Sequence, residues 1–173
     1  SRVAGKILLL DRSQEIKARA LTRHAKCREY KVVIKAGRPH LQDAVPVTLG
    51  QEFAAYGAAV KRANTLLVQA GEELSTLGIG GTAAGTGMNA AKGYRDLVVK
   101  HSNEMTGFEF TTTGDLREAM QSQLPVSAVS GALRNFALEM TRITNDLRLL
   151  ASGPQTGLAE IILPAVQPGS SIM

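Results

Sequence analysis

At 173 residues the chain is long enough to bury a hydrophobic core as one domain, and its net charge of +5 (pI about 9.6) is basic without being extreme. Hydrophobic residues make up 44% but aromatics only 4%, with no Trp, so apolar bulk comes from Ala, Val, Leu and Ile, which suits helix–helix packing better than a β-sandwich. A single cysteine, Cys27, excludes an intrachain disulfide, and 20% evenly spread charge excludes a disordered chain.

Residues 1–30 read as helical, although their apolar spacing is ragged. The longest apolar run there, Ile7-Leu8-Leu9-Leu10, is too short to cross a bilayer and lacks a signal-peptide cleavage pattern, so no membrane partner and a cytoplasmic location are expected. Basic residues cluster in the first 38 positions (Arg2, Lys6, Arg12, Lys17, Arg19, Arg23, Lys26, Arg28, Lys31, Lys35, Arg38). Such a face either binds nucleic acid or helps draw anionic substrates inward. No zinc-ligand spacing or set of base-stacking aromatics accompanies it, so a solvated helix face is expected and nucleic acid is not.

The polar loop Gly37-Arg38-Pro39-His40-Leu41-Gln42-Asp43 follows. His40, near Gln42 and Asp43, could be held in one tautomer and offer a proton, or simply fix the loop by hydrogen bonding; spacing alone favours the second. His24 and His101 sit on expected helices among charged residues and read as surface histidines.

Leu49, Phe53, Tyr56, Val60, Ala63, Leu67, Ala70, Leu74 and Leu77 alternate steps of four and three, the period of a bundle seam. A helix over 47–77 would run about 46 Å. Thr48 and Gln51 form a candidate capping box, Pro46 suits the entry, and Gly78, Gly80 and Gly81 are expected to end the helix. Gly80–Gly87 could cradle an anion with its backbone N–H groups. It lacks the Lys-Ser/Thr ending of a phosphate loop and follows a helix, so a hinge is the expectation.

A helix near 90–106 should end at Gly107, and Asp115 should cap a short one reaching Gln123. After Pro125 a second seam runs Val126, Val129, Leu133, Phe136, Met140, Ile143, Leu147, Leu150, until Gly153-Pro154 stops it. The remainder, with Pro154, Pro164, Pro168 and Gly169-Ser170-Ser171, reads as loop; no Gly-x-Ser-x-Gly elbow supports serine-hydrolase chemistry. The fold class is therefore all-α, a long-helix bundle. Two such seams exceed what 173 residues can cover, so a homo-oligomer, or missing parts of the same chain, must cover them. The first residue is not Met and lies inside a helix, and the last follows a Gly-Ser-Ser loop; the chain is expected to be a segment of a longer protein.

Three blocks together resemble the fumarase/aspartase superfamily: Gly37–Glu52 (GRPHLQDAVPVTLGQE), Gly80–Asn89 (GGTAAGTGMN), and Asn145–Pro154 (NDLRLLASGP) running on to Gly169–Met173 (GSSIM). They occur in family order, and the likeness covers nearly everything from residue 30 onward. The resemblance implies that residues 1–173 are the central helical domain, without the N- and C-terminal domains, and that 153–173 lead into a mobile catalytic loop. It implies a homotetramer with a common helical core and active sites shared between subunits, acting on a dicarboxylate. By the same resemblance Ser170 abstracts the proton, Ser171 binds substrate, and His40 binds substrate and stands near the leaving group. No cofactor and no metal are expected. The loop motif's Lys and Asn would lie beyond Met173.

One departure concerns Pro39, where family members usually carry Thr. Proline can donate no hydrogen bond, from side chain or backbone, and restrains Arg38 to extended backbone, which implies altered substrate binding or reduced activity. The flanks Ala44–Thr48, Asn89–Tyr94 and Glu160–Pro168 resemble aspartate ammonia-lyases, whereas His40 resembles the fumarases. The expected reaction is elimination of ammonia from L-aspartate to give fumarate; class II fumarase chemistry on L-malate and a catalytically impaired structural homologue stay open.

Overall fold

A computed structural model describes residues 2–164 and Gly169. The elements are α1 (Arg2–Glu29), β1 (Ile34–Ala36), β2 (Pro46–Thr48), α2 (Leu49–Glu72), β3 (Thr76–Leu77), α3 (Tyr94–Thr106), β4 (Thr111–Thr112), α4 (Leu116–Gln121) and α5 (Leu124–Leu150). Helices dominate, as the composition requires, and the fold is an all-α bundle domain. The chain divides into two compact units at Phe136/Ala137.

In the first unit α1 and α2 form an antiparallel pair, and glycines set how closely they approach. A Cβ on Gly71, near the end of α2, would lie 2.9 Å from Leu9 Cδ2, and one on Gly50, at its start, would lie 2.5 Å from the Cys27 carbonyl oxygen. The Gly50 N–H donates to Tyr30 O at 3.0 Å, locking the end of α1 to the start of α2. Along α2 the expected seam is inside: Leu49, Tyr56, Val60, Ala63 and Leu67 are buried, Leu67 completely.

The helix ends sooner than its apolar spacing suggests. After Glu72 the chain tightens into a 3₁₀ turn (Glu73–Ser75) and then becomes β3, so Leu74 and Leu77 are buried without belonging to α2. The glycines at 78–81 therefore do not terminate the helix. The Lys6 ammonium donates to Gly71 O at 3.0 Å, a carbonyl in the last turn of α2 that also accepts from the Glu73 N–H.

Two short ribbons, which carry no readable period, accompany the helices. β1 and β2 pair antiparallel, with Lys35 opposite Val47. β3 and β4 pair in parallel. Beside the latter, Leu77, Val99 and Phe110 form a small core with Val3, Ile79 and Phe108 against it. The Asn103 side chain brackets Phe110, accepting from its N–H at 2.8 Å and donating to its carbonyl at 3.1 Å. Gly107 (φ 70°) ends α3 in the left-handed region, as expected.

Asp115 caps α4, which stops at Gln121 rather than Gln123. Pro125 lies in the first turn of α5, where a missing N–H costs nothing. In the second unit, Ser152 accepts from the Leu158 N–H with Oγ (3.1 Å) and from the Ala159 N–H with its carbonyl (2.7 Å), closing the turn after α5. Ile143 and Leu150 are buried, but across the whole second seam Val126 and Leu133 remain more than two-fifths exposed.

Of the described basic side chains in the first 38 positions, Arg28 and Lys31 are exposed as expected, whereas four others are less solvated. Arg2 donates to Thr76 O (2.6 Å) and Ala119 O (3.2 Å), Lys6 to Gly71 O, and Lys35 and Arg38 form ion pairs described below. Among the described residues no helix is long and apolar enough to cross a membrane.

Candidate functional site

The loop carrying His40 is the tip of the β1–β2 hairpin. Gly37 N–H donates to Val45 O (2.8 Å) and Ala44 N–H to Gly37 O (2.9 Å), closing its base. At the tip two tight turns overlap: Leu41 N–H donates to Arg38 O (3.2 Å), and Gln42 N–H to Pro39 O (3.1 Å). The second turn needs positive φ at both central residues, and His40 (52°) and Leu41 (61°) both supply it. Neither is glycine, so each left-handed residue costs on the order of 1–3 kcal/mol that the surrounding structure must offset. Arg38, before the proline, has φ −126° and ψ 69°, outside the helical region as proline demands.

His40 is exposed. The favoured expectation, that His40 fixes the loop, gives way to another pair: Asp43 Oδ1 accepts from Arg38 Nε at 2.7 Å across the loop. The loop is therefore fixed by Arg38–Asp43, and the imidazole is displayed at the tip. Ser170 and Ser171 lie outside the described residues, as does the side chain of His24. Of the expected site residues, His40 alone is placed. His101 is exposed as expected, its Nδ1 3.0 Å from Glu104 Oε2.

What anchors the hairpin was not legible from spacing. Lys35, at the middle of β1, has a side chain only 7% exposed, and its ammonium meets Glu52 Oε1 at 2.7 Å. Glu52 lies in the first turn of α2, beside the capping box that Thr48 and Gln51 form as expected (3.1 and 2.8 Å). The pair is separated by 17 residues, too far for helical or strand periodicity to signal it.

The Gly-rich segment 80–87, read from the sequence as a hinge between two helices, lies between β3 and α3. A Cβ on Gly80 would lie 3.2 Å from Arg95 Cβ, and one on Gly85 would lie 2.6 Å from Arg117 Cγ. The segment thus packs closely against the starts of α3 and α4, which its glycines permit. Beside it an open cleft of about 340 Å³ is lined by Gly85, Thr86, Arg95 and Gly114–Arg117. Arg117 there is committed to Asp115, with Nε and Nη2 donating to the carboxylate at 3.1 and 3.3 Å. Those side-chain bonds, with the Arg117 N–H, hold the Asp115 carboxyl below the usual carboxylate range. Non-glycine residues with left-handed backbone among those described are His40, Leu41, Thr82, Asn89 and Ala159. The first four fall within the first two sequence blocks and the last between the parts of the third. Among the described residues no group of three or more His, Cys, Asp or Glu could hold a metal.

A family profile described as Lyase matches residues 6–173. An aspartate ammonia-lyase from Helicobacter pylori is 49% identical over 148 residues, 86% of this chain and 32% of that protein. A class II fumarate hydratase from Haemophilus influenzae is 46% identical over 149 residues, again 86% and 32%. Among solved structures, a fumarate lyase:delta crystallin from Brucella melitensis bound to cobalt superposes with a TM-score of 0.86 at 44% identity, covering 99% of this chain and 38% of that one. A class II fumarase from Schistosoma mansoni gives 0.85 at 31% identity, covering 97% and 37%. The chain spans about a third of the length of the curated relatives it matches.

Proposed function

The chain belongs to the fumarase/aspartase superfamily of lyases, and from that premise we propose that its protein eliminates ammonia from L-aspartate to give fumarate. The observation that carries this reading is the 49% identity with an aspartate ammonia-lyase, supported by the aspartase-like flanks of all three blocks. Residues 1–173 serve as the central helical domain, and the segment after Gly153 leads into a closing loop.

In the proposed mechanism Ser170 removes the proton on the carbon next to a substrate carboxylate. That C–H is very weakly acidic, so the electron pair must be delocalised into the carboxylate, giving a dianionic aci-carboxylate that preorganised donors stabilise. The C–N bond then breaks, the double bond forms, and ammonia departs. Serine is a poor base in water; it serves here because loop closure dries the site and surrounds the alkoxide with donors. His40 contacts the substrate near the leaving group, with Ser171 binding substrate beside it. The active site is completed by other subunits of a homotetramer.

A second reading has its own support: His40 is fumarase-like, and class II fumarate hydratases reach 46–47% identity. Fumarate absorbance in the ultraviolet, with full-length protein offered L-aspartate and L-malate separately, decides between them. Fumarate from aspartate alone is expected; fumarate from malate alone replaces the first reading with the second. Silence with both would leave a structural homologue without activity.

A further inference from the structure

The hairpin presenting His40 has three residues in each strand, and a ribbon that short is marginal on its own. Most of its apolar side chains do not seat it: Ile34, Leu41 and Val45 are between 66% and 75% exposed, and Val47 on β2 is only partly buried. Lys35 is turned inward instead, and its ammonium is bonded to Glu52 on α2. The other carboxylate oxygen, Glu52 Oε2, is buried without a hydrogen-bond partner among the described residues. The charge of Glu52 is thus balanced by Lys35, and the two cannot separate without stranding a poorly solvated carboxylate.

We infer that the Lys35–Glu52 ion pair is a positioning device for the elimination site, fixing the β1–β2 hairpin to α2 and so setting where His40 is held. This rests on the reading of His40 as a substrate-contacting residue. The lever is long. From residue 35 to residue 40 the chain can extend up to about 16 Å, so a tilt of about 4° at Lys35 moves the tip by about 1 Å. Misplacement on that scale can cost a factor of about a hundred in rate. Apolar packing is non-directional and would let so small a ribbon rock, whereas a 2.7 Å charged hydrogen bond from the middle of β1 fixes its angle.

The test uses the full-length protein with two variants. Glu52→Gln removes the charge while keeping the shape; Lys35→Met combined with Glu52→Gln removes both charges and leaves none stranded, so it serves if the single variant does not fold. Amide exchange at Gly37 and Ala44, whose N–H groups close the hairpin, is expected to quicken at least tenfold, with Leu67 in α2 unchanged. On the preferred substrate kcat/KM is expected to fall at least tenfold in the wild-type background and less than twofold in a His40→Ala background. Unaltered exchange overturns the inference. So does an equal kinetic loss in both backgrounds, since the pair would then only stabilise the fold. If the wild-type protein turns over neither aspartate nor malate, the elimination reading fails by itself, and the exchange measurement still decides whether the pair holds the hairpin.

Discussion

Two residues show how much a single side chain, or its absence, decides. Gly50 has no room for a methyl group: a Cβ would sit 2.5 Å from Cys27 O and 3.0 Å from Lys31 N and Cα, all backbone atoms that cannot rotate away. Gly50→Ala is expected to destabilise the protein by about 1–3 kcal/mol, read as a fall in thermal unfolding temperature, because α1 and α2 must part at that end. An unchanged unfolding temperature would mean that the two helices are not locked there. Pro39 poses a different question. It opens the double turn and keeps Arg38 out of the helical region, but it brings no hydroxyl to the tip. Pro39→Thr is expected to raise kcat/KM by about 2- to 10-fold, the worth of one added hydrogen bond. Steady-state kinetics with both constants unaltered would show that nothing at position 39 touches substrate.

At the scale of elements, α2 begins where its caps dictate. Thr48→Ala removes the side-chain acceptor of the Gln51 N–H, and a loss of about 1 kcal/mol is expected in denaturant unfolding. A loss near zero would mean that water replaces the cap freely. The helices were legible in the sequence because helical periodicity is local: the seam of α2, the caps at Thr48 and Asp115, and the left-handed stop at Gly107 all involve neighbours in the chain. The end of α2 was not, because apolar spacing reports burial and not hydrogen bonding. Leu74 and Leu77 keep the seam's rhythm while the backbone beneath them has already become a 3₁₀ turn and a strand. The ribbons escaped notice since two or three residues hold no period. Likewise His40 stood out by its polar loop, whereas Lys35 and Glu52 became partners only once the chain had folded back.

For the whole molecule, the second seam is the informative surface. Leu124 is 72% exposed and Leu138 57%, and Val126 and Leu133, both on the seam, are also exposed. Apolar residues repeated so regularly along a helix of 27 residues need a covering surface. The proposed tetramer supplies it with helices of other copies. Sedimentation equilibrium of the full-length protein is expected to give four chains per particle, and Val126→Asp with Leu133→Asp is expected to shift the mass toward smaller species. A wild-type protein that sediments as one chain would instead assign the covering to its own remaining segments.

The junction between hairpin and helix has a consequence for how this chain can vary in length. Thr48 is both the last residue of β2 and the N-cap of α2, so strand register and helical phase are set by one residue. Each residue of α-helix advances the side chains by about 100°. Deleting one residue between Pro46 and Gly50 would therefore turn Glu52 about 100° out of line with Lys35 and would rotate the whole buried seam with it. Descendants of this sequence should rarely show a change of length at this junction, since a single residue there alters strand register and helical phase together.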